Sequence, residues 1–127
     1  MIKIGVLGIV FLLQLSLQPL AKMQGSLECV VFINSEIPEQ LSLFFQFNSE
    51  YYSSRTLQNK GKVTFINISN QLINNNYTIP VINDTQGIWV SKFKPAALPA
   101  LFSMYQDKHL PRVIATTAEI RQCLQGK

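Results

Sequence analysis

Leu27-Glu28-Cys29-Val30-Val31-Phe32-Ile33-Asn34 is the segment that most constrains the fold. It is short, rich in β-branched and aromatic residues, and apolar at odd and even positions alike. A strand with one wet face alternates apolar and polar residues, whereas a run apolar on both faces belongs in the middle of a covered sheet. The chain therefore needs partner strands on both sides of this segment and helices above and below it. Ser35-Glu36-Ile37-Pro38 follows, and Pro38 suits the first turn of a helix, where its missing N–H costs nothing. Leu41, Phe44, Phe45 and Tyr52 then recur at helical spacing, with Ser42, Gln46, Ser49 and Glu50 mainly opposite. The spacing predicts an amphipathic helix from Pro38 to about Ser53. Phe47 and Tyr51 exceed what one face buries, and either lie exposed for a partner or pack under a neighbouring loop.

Asn59-Lys60-Gly61 reads as a turn, and Lys62–Ile68 alternates as a second strand. Ser69–Thr78 is Asn-rich without periodicity and is expected to be a loop. Ile79–Ile82 is short enough for an edge strand. Asn83 or Asp84 then caps a short helix through Phe93, exposing Gln86 and Lys92 and burying Ile88, Trp89 and Phe93. Lys94-Pro95-Ala96-Ala97-Leu98-Pro99 leads into a strand at Ala100–Tyr105. Gln106-Asp107-Lys108-His109 turns the chain, and Leu110–Ala115 returns as the second arm of a hairpin. Thr116-Thr117-Ala118-Glu119 is a capping box for a last helix to about Gln125, with Ile120 and Leu124 as its apolar stripe.

The order β-α-β, connecting helix, β-β-α predicts an α/β fold with a mixed sheet and helices on both faces. Phe93–Leu101 followed by a hairpin and a capped helix resembles the C-terminal half of thioredoxin-like proteins. In that fold a cis-proline stands just ahead of the hairpin strand, and Pro99 occupies the place. The alternative is an ordinary trans proline at a strand start. Dithiol members of the fold carry Cys-x-x-Cys at the first helix start, where the helix N-terminus lowers the attacking thiol's pKa. Here that place holds Ser35-Glu36-Ile37-Pro38, so dithiol chemistry at this position is excluded.

The two cysteines sit elsewhere. Cys29 opens the first strand and Cys123 lies near the end of the last helix, which in this topology runs antiparallel to that strand. The two therefore meet at one end of the sheet, as a disulfide or as two separate buried thiols. A bridge would close nearly the whole domain, a constraint of about 4–5 kcal/mol on the unfolded chain.

Ahead of the domain, Met1–Ala21 has the layout of a secretory signal: Lys3, then the apolar run Ile4–Leu17, then Pro19-Leu20-Ala21. Cleavage after Ala21 is the first choice and cleavage near Gly25 the alternative. An uncleaved anchor fits less well, because Gln14, Ser16 and Gln18 interrupt the run before the roughly 20 residues a bilayer requires. Cys29 lies too far beyond the run for an acylated first residue. Residues 27–127 then form one modest domain in an oxidising, extracytoplasmic compartment, without a membrane span after cleavage.

Other chemistry finds little support. The charge of +4 comes from 11 basic against 7 acidic residues, scattered without basic runs, which argues against nucleic acid. His109 is the only histidine and has no partner for a zinc site or a triad. Glu36 and Glu39 suit the positive end of a helix dipole better than paired acid–base work. Gly61, Gly87 and Gly126 are isolated, so no phosphate loop exists. Asn67-Ile68-Ser69, Asn76-Tyr77-Thr78 and Asn83-Asp84-Thr85 fit the glycosylation pattern, which chance explains in a chain so rich in Asn.

Three stretches resemble the TrbC family of F-type conjugative transfer systems. Phe32–Pro38 is similar to its hydrophobic strand, Ser-rich turn and "Met-Pro" helix start. Val81-Ile82-Asn83-Asp84 is similar to its "Ile-Asp-Pro" segment, and Phe93–Leu101 to its "Phe-x-Ile-x-x-Val-Pro" strand start. Asn34 and Glu36 stand where the family has serines, Ile37 replaces methionine, and no proline follows Asp84. The family's arginine-glycine element is not evident at Asn67-Ile68-Ser69. The resemblance implies a non-enzymatic periplasmic protein of pilin or pilus assembly, binding other proteins of the transfer machine. It implies no cofactor, metal or small-molecule substrate. Active relatives of the fold receive an extended peptide beside the cis-proline and the first helix start, which would make Ser35, Glu36, Ile37, Leu98 and Pro99 the groove. The competing reading is an exported thiol-disulfide protein in which Cys29 and Cys123 cycle.

Overall fold

The computed structural model describes residues 28–105 and 108–126. The segment Met1–Ala21, expected to be an export signal, turn residues Gln106 and Asp107, and the side chain of His109 lie outside the described residues. The elements in chain order are β1 (Glu28–Ile33), α1 (Pro38–Ser53), α2 (Arg55–Lys60), β2 (Lys62–Asn67), β3 (Val81–Asn83), α3 (Ile88–Phe93), β4 (Ala100–Tyr105), β5 (Lys108–Ile114) and α4 (Thr117–Leu124). They form one five-stranded sheet in the order β3-β2-β1-β4-β5. β1 pairs parallel to β2 and antiparallel to β4, while β3 adds parallel to β2 and β5 antiparallel to β4. The strand with two apolar faces is thus the middle strand, as its composition requires.

Period-two geometry divides the core between the faces of the sheet. Cys29, Val31 and Ile33 of β1 join Val63, Phe65 and Leu101 on the face covered by α1 and α4, where Phe44, Phe47, Ile120, Cys123 and Leu124 pack. Val30 and Phe32 point to the other face, with Ile66, Ala100, Phe102 and Phe93 of α3. On that face Phe32, Phe93 and Phe102 meet in tilted and edge-on pairs at 5.2–5.6 Å, a geometry aromatic rings prefer.

The helix ends follow local chemistry. α1 opens on Pro38, and α4 opens on Thr116, whose hydroxyl accepts from the Glu119 N–H at 3.1 Å. α3 starts after Gly87, held at φ +72°, a left-handed conformation that disfavours other residues. Asp84 lies three residues further back, and its carboxylate accepts from the Trp89 and Val90 N–H groups. Arg121 of α4 donates twice to the Glu50 carboxylate of α1 at 2.9 Å. That pair is half exposed and contributes at most about 1 kcal/mol.

Three expectations need correction. Residues 55–60 form α2, capped by the Ser54 hydroxyl accepting from the Leu57 N–H, where only the Asn59–Gly61 turn is foreseen. The inward stripe of α1 is Gln40, Phe44 and Phe47, while Phe45 is 43% and Tyr52 72% exposed. Phe47 therefore belongs to the core, and Phe45 leans on Tyr77 of the Asn-rich loop. In α3, Phe93 is buried but Ile88 is exposed, because this six-residue helix turns only one side to the sheet.

Candidate functional site

β1 ends at Ile33, and the chain makes a tight turn before α1. Ile37 N–H donates to the Asn34 carbonyl and Glu36 N–H to the Asn34 side chain. Gln40, in the first turn of α1, reaches back so that its Oε1 accepts from the Asn34 N–H at 2.7 Å. This fixes Ser35–Pro38 at the C-terminal end of the central strand. Ala100 pairs with Phe32, so the preceding Pro99 and Leu98 arrive at the same end of the sheet. The Leu98–Pro99 bond is cis, and the Pro99 carbonyl accepts from the Ala115 N–H at 2.9 Å.

The residues expected to line a groove have different surroundings. Ser35 is only 3% exposed; its N–H donates to Asn67 Oδ1 and its hydroxyl to the Gln71 carbonyl. Glu36 is exposed, and its carboxylate accepts from the Ser69 hydroxyl at 2.9 Å. Ile37 is 38% exposed. Leu98 is half-buried and packs with the α3-side cluster. Pro99 is half-buried and faces the other way, into a cleft of about 450 Å³ lined also by Glu39, Gln40, Leu43, Ala115 and Thr117.

The centre that sequence reasoning missed is Asn67. It is fully buried at the end of β2, and all its side-chain capacity is engaged. Oδ1 accepts from the N–H groups of Ser35 and Ser69; Nδ2 donates to the Gln71 carbonyl and to Asn83 Oδ1. Asn83 in turn accepts from Ile73 N–H and donates to the Ile73 carbonyl. Two asparagine amides thus hold the first-helix turn, the Asn-rich loop and the sheet edge in one network. The glycosylation-like context of Asn67 and Asn83 conceals this role, since both amides are spent on hydrogen bonds. Only a signal for buried asparagine at a strand end would have found it, and hydropathy carries none.

Cys29 and Cys123 form a disulfide with Cα atoms 6.2 Å apart, both fully buried. The sequence holds no other cysteine, so no thiol stands beside the α1 start. Cys29 lies opposite Ser103 whereas Phe32 lies opposite Ala100. The bridge is therefore set back from the Pro99 end by most of the length of β1, roughly 13 Å.

No family model matches this sequence, and no curated protein matches it significantly. Solved structures do match. StoA from Bacillus subtilis superposes with a TM-score of 0.56 at 17% identity, over 79% of this chain and 83% of that one. MTB DsbF, determined in mixed oxidized and reduced forms, gives 0.52 at 16% identity over 83% of each chain. The fold is thioredoxin-like. Tryparedoxin II, complexed with glutathionylspermidine, gives a TM-score of 0.50 at 15% identity, over 81% of this chain and 77% of that one. At these identities the likeness concerns the thioredoxin-like backbone. This thioredoxin-like chain carries cis-Pro99, with Ser35–Pro38 at the helix start and its only two cysteines bridged at a distance from both.

Proposed function

We propose that this protein is an exported, non-catalytic thioredoxin-like module that binds polypeptide in an envelope assembly machine, in the manner expected of a conjugative pilin-assembly component. The observation that carries the reading is the combination at one sheet end. The cis-Pro99 segment is present, while the adjoining helix start holds Ser35 clamped by Asn67 and Gln71 instead of a nucleophile. A surface so braced suits recognition, with Ile37 exposed beside it and Glu36 supplying a carboxylate at the rim. Likeness to TrbC proteins at Phe32–Pro38, Val81–Asp84 and Phe93–Leu101 directs the proposal to conjugation and to a periplasmic location. The bridged cysteines accord with an oxidising compartment.

The test is genetic and biochemical together. A host deleted for this gene should lose pili and conjugal transfer, and complementation with Ile37→Arg should restore neither, although the variant protein accumulates. Leu98→Arg should behave alike, with urea unfolding as a check on folding because Leu98 also packs inward. Full transfer by the deletion strain would remove conjugation from the reading. Rapid insulin-disulfide reduction by the purified protein would instead favour redox cycling of Cys29 and Cys123. The bridge is buried, so the expected outcome is an inert assay.

A further inference from the structure

Charges that are scattered along the sequence are sorted by the fold. Glu36, Glu39, Asp84 and Glu119 all come to the Pro99 end of the sheet, at the start of α1, just past β3 and in the first turn of α4. The other end of β1 collects cations. Glu28 stands in register with Lys62, so the start of β2 lies there, and with it α2, which leads into β2. Arg55, Lys60 and Lys62 are exposed at this end, and among the described residues none of the three is in an ion pair. Arg121 is neutralised by Glu50, which leaves half-buried Glu28 as the one described carboxylate to offset them.

Stability does not account for this placing. Arg55 opens α2, where a cation opposes the helix dipole, and Lys60 and Lys62 repel each other two positions apart. The three are also close. α2 rises about 7.5 Å from Arg55 to Lys60, and Lys62 follows within about 7 Å, so the group acts within one or two screening lengths of about 10 Å. Tyr52, three residues before Arg55 at the end of α1, is 72% exposed. A protein partner would require an apolar centre, yet Ser53, Thr56, Gln58 and Asn59 around this ring are polar and exposed. An exposed tyrosine amid cations is instead the composition that suits the headgroup level of a bilayer. Glu28 is also where the apolar run Ile4–Leu17 joins the domain, within about 40 Å of extended chain. While that run is held by a bilayer, this end faces it.

We infer that the end of the domain formed by Tyr52, α2 and the start of β2 docks on an anionic phospholipid surface. The same surface repels the carboxylates of the Pro99 end, so charge sets the orientation and turns that end outward. The inference goes beyond the partner-binding reading and does not depend on which polypeptide that end receives.

The experiment is cosedimentation of the oxidised protein, purified without detergent, with vesicles of phosphatidylcholine alone or of equal parts phosphatidylcholine and phosphatidylglycerol. Each cation near an anionic surface raises partition about fivefold, so the mixed vesicles should bind the protein at least about twentyfold better. Raising salt from about 0.1 to about 1 M shortens the screening length to about 3 Å and should remove most of that advantage. Lys60→Gln with Lys62→Gln should weaken binding about 25-fold, whereas Lys92→Gln with Lys94→Gln, exposed on the α3 side, should leave it within about threefold. Both pairs change the net charge equally, and an unchanged urea midpoint checks that each variant is folded. A spin-labelled phospholipid should broaden the amide resonances of Tyr52, Lys60 and Gly61 and leave those of Ile37 and Ala100 sharp. Equal loss from the two lysine pairs would reduce the effect to net charge and overturn the inference. Binding to phosphatidylcholine alone as strong as to the mixture overturns it too. Retention on polyglutamate without vesicle binding would overturn it in favour of an acidic protein. All three results spare the partner-binding reading, which stands or falls on Ile37→Arg.

Discussion

Changing Asn67 to aspartate alters one atom of a fully buried side chain, yet it should cost a large part of the domain's stability. The retained Oδ1 can still accept from the Ser35 and Ser69 N–H groups at 3.0 and 3.2 Å. The new oxygen replaces Nδ2, which donates to the Gln71 carbonyl at 2.9 Å and to Asn83 Oδ1 at 3.1 Å. Two hydrogen bonds disappear, worth about 1 kcal/mol each, and an oxygen now faces two acceptors. Leaving buried acceptors so opposed costs about 1–3 kcal/mol more, so the total is roughly 3–5 kcal/mol against typical stabilities of 5–15 kcal/mol. Urea denaturation of the oxidised protein at neutral pH reads it directly. With a slope of about 1.5 kcal/mol/M, the midpoint should fall by roughly 2–3 M at unchanged slope. At about pH 3 the gap between variant and parent should narrow, since a protonated acid regains one donor. Asn76→Asp, on the exposed loop, is the control and should stay within about 0.5 kcal/mol of the parent. An Asn67→Asp midpoint equal to that of Asn76→Asp would refute the network argument.

Three further expectations are measurable by the same means. Replacing Cys29 and Cys123 together by alanine opens a loop of sequence separation 94, and should lower stability by about 4–5 kcal/mol; a loss below about 1 kcal/mol would deny the bridge that role. Asp84→Ala strips the Trp89 and Val90 N–H groups of their acceptor and should cost about 1–2 kcal/mol, with altered emission from Trp89, the chain's single tryptophan. Unchanged emission and midpoint would leave α3 without need of that cap. Burial raises the Tyr51 phenol above its usual 10.0, so folding favours the protonated ring: the contribution is whole below pH 10 and declines as pH rises through the higher folded value. Tyr51→Phe should reduce the alkaline decline, and an identical pH profile would contradict the assignment.

Whatever depends on local chemistry or on strand periodicity could be read from the sequence. Both limits of α1 follow from Pro38 and the helical spacing that ends at Tyr52. The Thr116 cap, the central place of β1, cis-Pro99 and the meeting of Cys29 with Cys123 also agree with the structure. Features chosen by tertiary packing were hidden. Phe44, Phe45 and Phe47 all look apolar, and only the position of β2 and the Tyr77 loop decides which of them faces the core. α2 has too few residues for a periodic signal, although Ser54 marks its start. Ser35 was legible as part of a non-catalytic helix start but not as a buried residue, because its burial depends on Gln71, 36 positions away. Asn67 was hidden for the same reason: its partners converge from three segments that no spacing rule connects.

The Cys29–Cys123 bridge also has a mechanical consequence. Because it joins residues near the two ends of the domain, tension applied between those ends passes through the covalent cross-link and bypasses the strand pairing. The 94 residue steps it spans amount to roughly 330 Å of extended chain that cannot be drawn out while the bridge is intact. A domain pulled in this way keeps the chain between Cys29 and Cys123, and with it the Pro99 end, in shape under load. Reduction would convert the same chain from an inextensible link into one that unravels.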